Sequence, residues 1–255
     1  EEMEQKILDV GPENIAAFYA EPILGVGGVI VPPADYNRRT WDLCQRYDIL
    51  YVADEVVTAF GRLGCWFVSK DRFDVQPDII TCAKGLSSGY LPLGAAIISD
   101  RIYEVMANDD DRFFAAGLTY SGHPVSCAAA LKNIEIMERE KLFDNVNDVG
   151  PYFEKQLRTL LDLPIVGDIR GEKFMMCVVN VQNKASREFF PAEVNIGKRT
   201  SDHAESLGLL VRPIGDLNIM SPPLTMSRED VDFIVTTLRT AIEMTMIGLR
   251  TEGLW

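Results

Sequence analysis

Two short apolar runs constrain the fold of this chain more than any other feature. Ile49-Leu50-Tyr51-Val52-Ala53 leads directly into Asp54, and Asp78-Ile79-Ile80-Thr81-Cys82 is followed one residue later by Lys84, thirty residues beyond Asp54. Both runs are too short and too rich in β-branched residues for core helices, so they read as buried parallel strands. Strand-like and helix-like segments alternate around them. A strand is expected over Ile15–Ala20, an amphipathic helix over Tyr36–Tyr47 after Pro32-Pro33, and a further strand over Ala95–Ser99. The alternation implies an α/β fold whose mostly parallel sheet has right-handed crossovers, with the loops gathered at one edge. The glycine-punctuated stretch Lys84-Gly85-Leu86-Ser87-Ser88-Gly89-Tyr90 is one of those loops.

From Pro124 the pattern changes to long helical periodicity. Val125–Arg139 is expected as a helix, with Ser126, Cys127, Ala128, Ala129 and Ala130 permitting close packing. A helix over Asn147–Leu161, a strand over Met175–Val181 and a helix over Pro191–Leu207 stopped by Gly208 follow. Next come a strand over Leu209–Arg212 and a last helix over Arg228–Met246. The division expected is 1–149 as part of a large domain and 150–255 as a smaller α+β domain.

Composition narrows the function classes. A net charge of −13 over 255 residues argues against general affinity for phosphate backbones, which needs a basic stripe. Only His123 and His203 are present, too few for the histidine clusters of most zinc sites, and no HExxH, GxSxG or Walker A pattern occurs. Neither an eighteen-residue apolar span nor a secretory leader is visible. The five cysteines show no CxxC spacing and read as reduced core thiols, which favours a cytoplasmic location.

The carboxyl ends of strands are where an open α/β sheet presents its chemistry. A lysine and an aspartate on neighbouring strand ends suit pyridoxal phosphate, held as an imine on the lysine with an acid paired to its ring nitrogen. Lys84 is then expected to be partly desolvated. Ala83 and Gly85 on either side are expected to leave room for a flat ring against the backbone. Taken singly, a lysine after a strand is usually a solvated strand end, and Asp54 alone suits a capping role.

Three ordered motifs carry a resemblance. Asp54-Glu55-Val56-Val57-Thr58-Ala59-Phe60-Gly61-Arg62-Leu63-Gly64, Pro77-Asp78-Ile79-Ile80-Thr81-Cys82-Ala83-Lys84-Gly85 and Thr119-Tyr120-Ser121-Gly122-His123-Pro124 resemble the class III, fold type I pyridoxal-phosphate aminotransferases. Glu21-Pro22-Ile23, Val211-Arg212-Pro213 and Ser221-Pro222-Pro223-Leu224 extend the likeness along essentially the whole chain. The resemblance implies that Lys84 is the imine lysine and proton shuttle, Asp54 the partner of the ring nitrogen, and Val56 the apolar residue packed on one ring face. It implies that Thr119 reaches the cofactor phosphate of the other subunit, so that a homodimer is the minimal active form. It also implies that the chain corresponds to the C-terminal portion of such proteins. The Gly-Ser-rich phosphate cup and the ring-stacking aromatic that the family carries upstream are not found here.

Departures from the pattern bear on substrate. In relatives similar to ornithine or γ-aminobutyrate aminotransferases, the Glu-Pro motif continues into a second glutamate that pairs with an arginine just before the Pro-Pro pair. Val26 and Ile219 stand at those positions here. Arg212 instead matches the mobile arginine of ω-amino acid or amine:pyruvate aminotransferases, whose planar fork clamps a carboxylate. The reaction implied moves an amino group from an amine or ω-amino acid to a keto acid such as pyruvate. Two readings stay open beside it: another pyridoxal-phosphate reaction on the same fold, such as that of an aminomutase, racemase or decarboxylase, and a noncatalytic dimerisation partner.

Overall fold

The computed structural model describes all residues except 109, 110 and 113. It divides into two compact units, one of Glu1–Ile23, Pro32–Gly61 and Cys65–Lys141, the other of Leu24–Val31, Arg62–Gly64 and Leu142–Trp255.

The first unit opens with helix α1 (Glu2–Val10), followed by β1 (Ala17–Ala20), α2 (Tyr36–Arg46), β2 (Leu50–Asp54), α3 (Val68–Phe73), β3 (Ile79–Cys82), β4 (Ala95–Ile98), α4 (Asp100–Ala107) and α5 (Pro124–Arg139). Its sheet has the order β1-β2-β3-β4. The first three strands run parallel, with Ala17 opposite Leu50 and Asp54 opposite Thr81. The fourth differs from expectation: β4 runs antiparallel to β3. A parallel return needs a crossover of a dozen or more residues, usually a helix, whereas the link from Cys82 to Ala95 holds only a 3-10 turn at Lys84–Leu86. Alternation places Phe18 and Tyr51 on one face of the sheet, where their rings meet at 5.4 Å between centroids. Tyr19, Asp54 and Thr81 share the other face, through the pairs Tyr19 with Val52 and Asp54 with Thr81. All four β4 residues are exposed.

The second unit contains α6 (Leu142–Arg158), β5 (Val166–Glu172), β6 (Met175–Asn180), α7 (Ile196–Ser206), β7 (Arg212–Ile214), β8 (Leu217–Met220) and α8 (Arg228–Thr251). These strands form a separate antiparallel sheet in the order β5-β6-β8-β7. The boundary expected at 149/150 falls inside α6, because Val146, Val149, Phe153 and Leu157 form one continuous buried stripe along that helix. Each side chain fully buried in this way contributes about 1.5–3 kcal/mol of transfer free energy, enough to carry the helix through Pro151. The helix expected over 191–207 is broken at Asn195, whose left-handed backbone separates a 3-10 turn from α7. Helix α8 outruns the expected Met246 to reach Thr251, with Leu249 fully buried. It opens with a capping box, in which Asp230 N donates to Ser227 Oγ at 3.1 Å and Ser227 N to Asp230 Oδ2 at 2.8 Å. A hydrophobic core gathers Phe153, Phe174, Met176, Ile196, Leu238 and Ile242 between the sheet and helices of this unit.

All five cysteines are free. Burial pushes the Cys44 thiol up to about 11 and the Cys177 thiol up to about 12, which makes both poor nucleophiles at neutral pH. Among the described residues no helix is long and apolar enough to cross a membrane.

Candidate active site in the first unit

Asp54 is the last residue of β2, and its register partner on β3 is Thr81, three residues before Lys84. The crossover through α3 returns the chain parallel to β2, so the two candidate residues leave adjacent strands at the same edge of the sheet. The Asp54 carboxylate is half-buried and held from two sides. Val56 N donates to Oδ1 at 3.1 Å, and the Tyr19 hydroxyl donates to Oδ2 at 3.2 Å. A carboxylate offers about four lone-pair positions, so these two donors leave room for a third.

Lys84 begins the 3-10 turn beyond β3 with φ of +39°, in the left-handed region that costs a residue with a Cβ about 1–2 kcal/mol. The turn is over-determined by its neighbours. Leu86 N donates to Ala83 O at 2.9 Å, while Asn133 Nδ2 on α5 reaches both Gly85 O at 2.9 Å and Leu86 O at 3.1 Å. Local strain held in place by its surroundings is common where a side chain is being aimed.

Two expectations need correction. Lys84 is exposed, not partly desolvated, because the turn projects beyond the strand end with small residues on both sides. Gly85 does not leave the backbone open for a flat ring. A Cβ there would lie 2.8 Å from Phe60 Cβ, so the glycine is needed to admit Phe60. Phe60 is buried and packs edge-on against Trp66 and Phe67, with centroid distances of 6.0 and 5.6 Å. Tyr90, at the end of the glycine-punctuated stretch that begins at Lys84, is 82% exposed.

Glu55, quoted in the motif without a role, organises the loop between Asp54 and α3. Its fully buried carboxylate accepts from Thr58 Oγ1 at 2.6 Å, Val68 N at 3.1 Å, Ser69 N at 2.7 Å and Ser69 Oγ at 2.6 Å. Two of these donors are the first amides of α3, where a helix presents unpaired N–H groups. With every lone pair occupied, the buried group carries no unsatisfied cost. Val56 is half-buried immediately after it. Thr119 sits exposed in the turn before α5, whose N-cap is His123, so Thr119 does not cap that helix.

Arg212 belongs to the second unit, exposed at the start of β7 and directly opposite Ile219 on β8. Among the described residues its side chain has no hydrogen-bond or ion-pair partner. Val26 is likewise exposed. Arg62 serves its own unit, donating to Phe174 O at 3.1 Å and Pro222 O at 2.5 Å, and burial pulls its guanidinium down to about 10. Among the described residues no cluster of His, Cys, Asp or Glu could hold a metal.

Tyr19, Glu55 and Asn133 are the residues the sequence reading missed. Only Tyr19 left a usable signal: counted back from Ala20 against Ala53, the parallel register sets it on the face of Asp54.

The class III aminotransferase family model matches residues 1–242, and the chain belongs to that family. It is 43% identical over 246 residues to a putrescine–pyruvate aminotransferase of Pseudomonas aeruginosa, covering 96% of this chain and 53% of that protein. It is 41% identical to a mitochondrial γ-aminobutyrate transaminase of Solanum lycopersicum, covering 95% of this chain and 47% of the relative. Among solved structures, an (S)-enantioselective ω-transaminase of Thermomicrobium roseum superposes with a TM-score of 0.92 at 43% identity, over 96% of this chain and 54% of that one. An amine transaminase from an uncultivated Pseudomonas species, in its PLP-bound form, gives a TM-score of 0.92 at 41% identity, over 96% and 55%. The α/β fold is the one these transaminases share. The chain spans about half the length of the relatives it matches.

Proposed function

We propose that this chain carries the lysine-bearing portion of a pyridoxal-phosphate-dependent aminotransferase that moves an amino group from an amine or ω-amino acid to a keto acid such as pyruvate. The observation that carries the proposal is the placement of Asp54 and Lys84 on the ends of adjacent parallel strands, within a chain of the class III family. The residues fit the cofactor: Asp54 keeps a free acceptor position beside its two donors, and the exposed Lys84 Nζ lies at the same sheet edge.

When bound, the cofactor supplies an electron-withdrawing ring that stabilises negative charge left on the substrate carbon. Asp54 would hold the positive charge at the ring nitrogen, and Val56 would pack against the ring. Lys84 Nζ would provide the covalent attachment and is the group that would hold and return the substrate proton. Thr119 is assigned to the cofactor phosphate of a second copy, which makes a homodimer the minimal working form. Arg212, without a partner among the described residues, suits a substrate carboxylate. The putrescine–pyruvate and γ-aminobutyrate transaminases among its relatives support an amine or ω-amino acid donor. The five free thiols support a reducing compartment such as the cytoplasm.

The test is a visible absorbance spectrum of the purified protein with pyridoxal phosphate, beside Lys84→Ala. The proposal expects a band that requires Lys84, is bleached by putrescine or 1-phenylethylamine, and returns with pyruvate. A Lys84-dependent band that no amine bleaches would remove the transamination reading.

A further inference from the structure

We infer that Tyr19 is a positioning residue for the acid of this site, acting through a hydrogen-bonded relay Thr81–Tyr19–Asp54 that fixes the carboxylate facing the cofactor ring nitrogen. The inference rests on the reading of Asp54 proposed above and adds to it a residue on a different strand.

The relay is built by the sheet. Tyr19 on β1, Asp54 on β2 and Thr81 on β3 lie on one face across three adjacent parallel strands. The Tyr19 hydroxyl is 3.2 Å from Asp54 Oδ2 and 3.1 Å from Thr81 Oγ1. An ionised carboxylate only accepts, so the Tyr19 proton points to Asp54 and the Thr81 hydroxyl donates to the Tyr19 oxygen. Each bond in such a chain polarises the next. Val56 N already occupies Oδ1, so Tyr19 supplies the second restraint on the carboxylate plane. At 3.2 Å the contact is long for a charge-assisted O–H···O bond, so it aligns Asp54 more than it stabilises it.

Packing does not account for this tyrosine. Its side chain stands 58% exposed, whereas Phe18, the preceding residue, turns to the opposite face and meets Tyr51. A phenylalanine at position 19 would keep whatever apolar contact exists and lose only the hydroxyl.

The test measures pyridoxal phosphate affinity by absorbance titration in Tyr19→Phe, in Asp54→Asn, and in the double variant. A parallel titration uses the deaza analogue of the cofactor, with C–H in place of the ring nitrogen. Removing one such hydrogen bond is expected to weaken pyridoxal phosphate binding about three- to ten-fold. The loss should vanish in the Asp54→Asn background and with the deaza analogue, since both abolish the contact that Tyr19 aligns. Thr81→Val, which leaves the Tyr19 hydroxyl in place, should give a smaller loss in the same direction. Equal weakening by Tyr19→Phe with and without Asp54, or with both cofactors, would overturn the relay and assign Tyr19 a direct or structural role. Unchanged affinity in Tyr19→Phe would overturn it as well. Absence of any Lys84-dependent band in the parent protein would instead remove the reading on which the inference stands.

Discussion

Gly85 shows how one residue can couple two parts of a site. Its lack of a side chain admits Phe60, and Phe60 closes the loop that begins at Asp54, so the Asp54 loop and the Lys84 turn are packed against one another. Phe60 itself has φ of +57°, and its amide donates to Trp66 O at 2.9 Å, which fixes the bend of the loop. Gly85→Ala should therefore force Phe60 or the turn to move and cost about 1–3 kcal/mol, read as a shift in the urea midpoint. It should also weaken pyridoxal phosphate binding, because the displaced turn carries Lys84. An alanine variant with parental stability and parental affinity would show that Phe60 gives way freely. The sequence indicated that a glycine was needed beside Lys84, but what it makes room for depends on a residue twenty-five positions earlier, and local pattern does not reveal that.

At the scale of elements, short-range pattern identified most strands and helices and the parallel sense of β1–β3, but not the sense of β4 or the caps of α3 and α8. β4 looks like its parallel neighbours because an apolar run reads alike in either direction; what sets it apart is the link before it, which holds a 3-10 turn and no crossover helix. Helix α3 has six residues, too few for a periodicity to register, and its start depends on Glu55 thirteen positions earlier. Glu55→Gln replaces one acceptor oxygen with an amide donor facing two N–H or O–H groups, so it should destabilise the first unit by about 1–3 kcal/mol in denaturant. Little or no loss would mean that α3 does not need this cap. The capping box of α8 gives a second case. Ser227→Ala should cost about 1 kcal/mol. Hydrogen bonds from Ser227 hold the Asp230 carboxyl below its ordinary 3.8. A lowered folded value means that its contribution is complete above pH 3.8 and fades as the pH falls through the folded value. The difference in stability between parent and Ser227→Ala should therefore be constant above about pH 5 and shrink in stronger acid.

For the whole molecule, the two units differ in how well they bury their apolar surface. Every residue of β6 is buried, and α8 contributes nine buried residues to the second unit, whereas β4 has none and α4 has none. Amides that open by local fluctuation exchange faster than those needing global unfolding. Hydrogen exchange on this chain should thus leave β6 and the middle of α8 protected longest and β4 and α4 exchanging early. The reverse order would contradict the burial pattern. The exposed residues around β4 and α5, among them Leu118, Tyr120 and Leu131, lie in the same unit as the candidate site. The fold class and the placement of Asp54 and Lys84 at neighbouring strand ends were legible in the sequence because strand ends and their charged successors are local features. The Thr81–Tyr19–Asp54 alignment was not, because it depends on the register of three strands. The measurement that bears most directly on the central claim is borohydride reduction of the protein with pyridoxal phosphate, followed by peptide mass mapping. The account predicts that the pyridoxyl group is found on the peptide containing Lys84, with no other lysine modified to a comparable extent. A folded protein labelled at a different lysine, or not labelled, would contradict it.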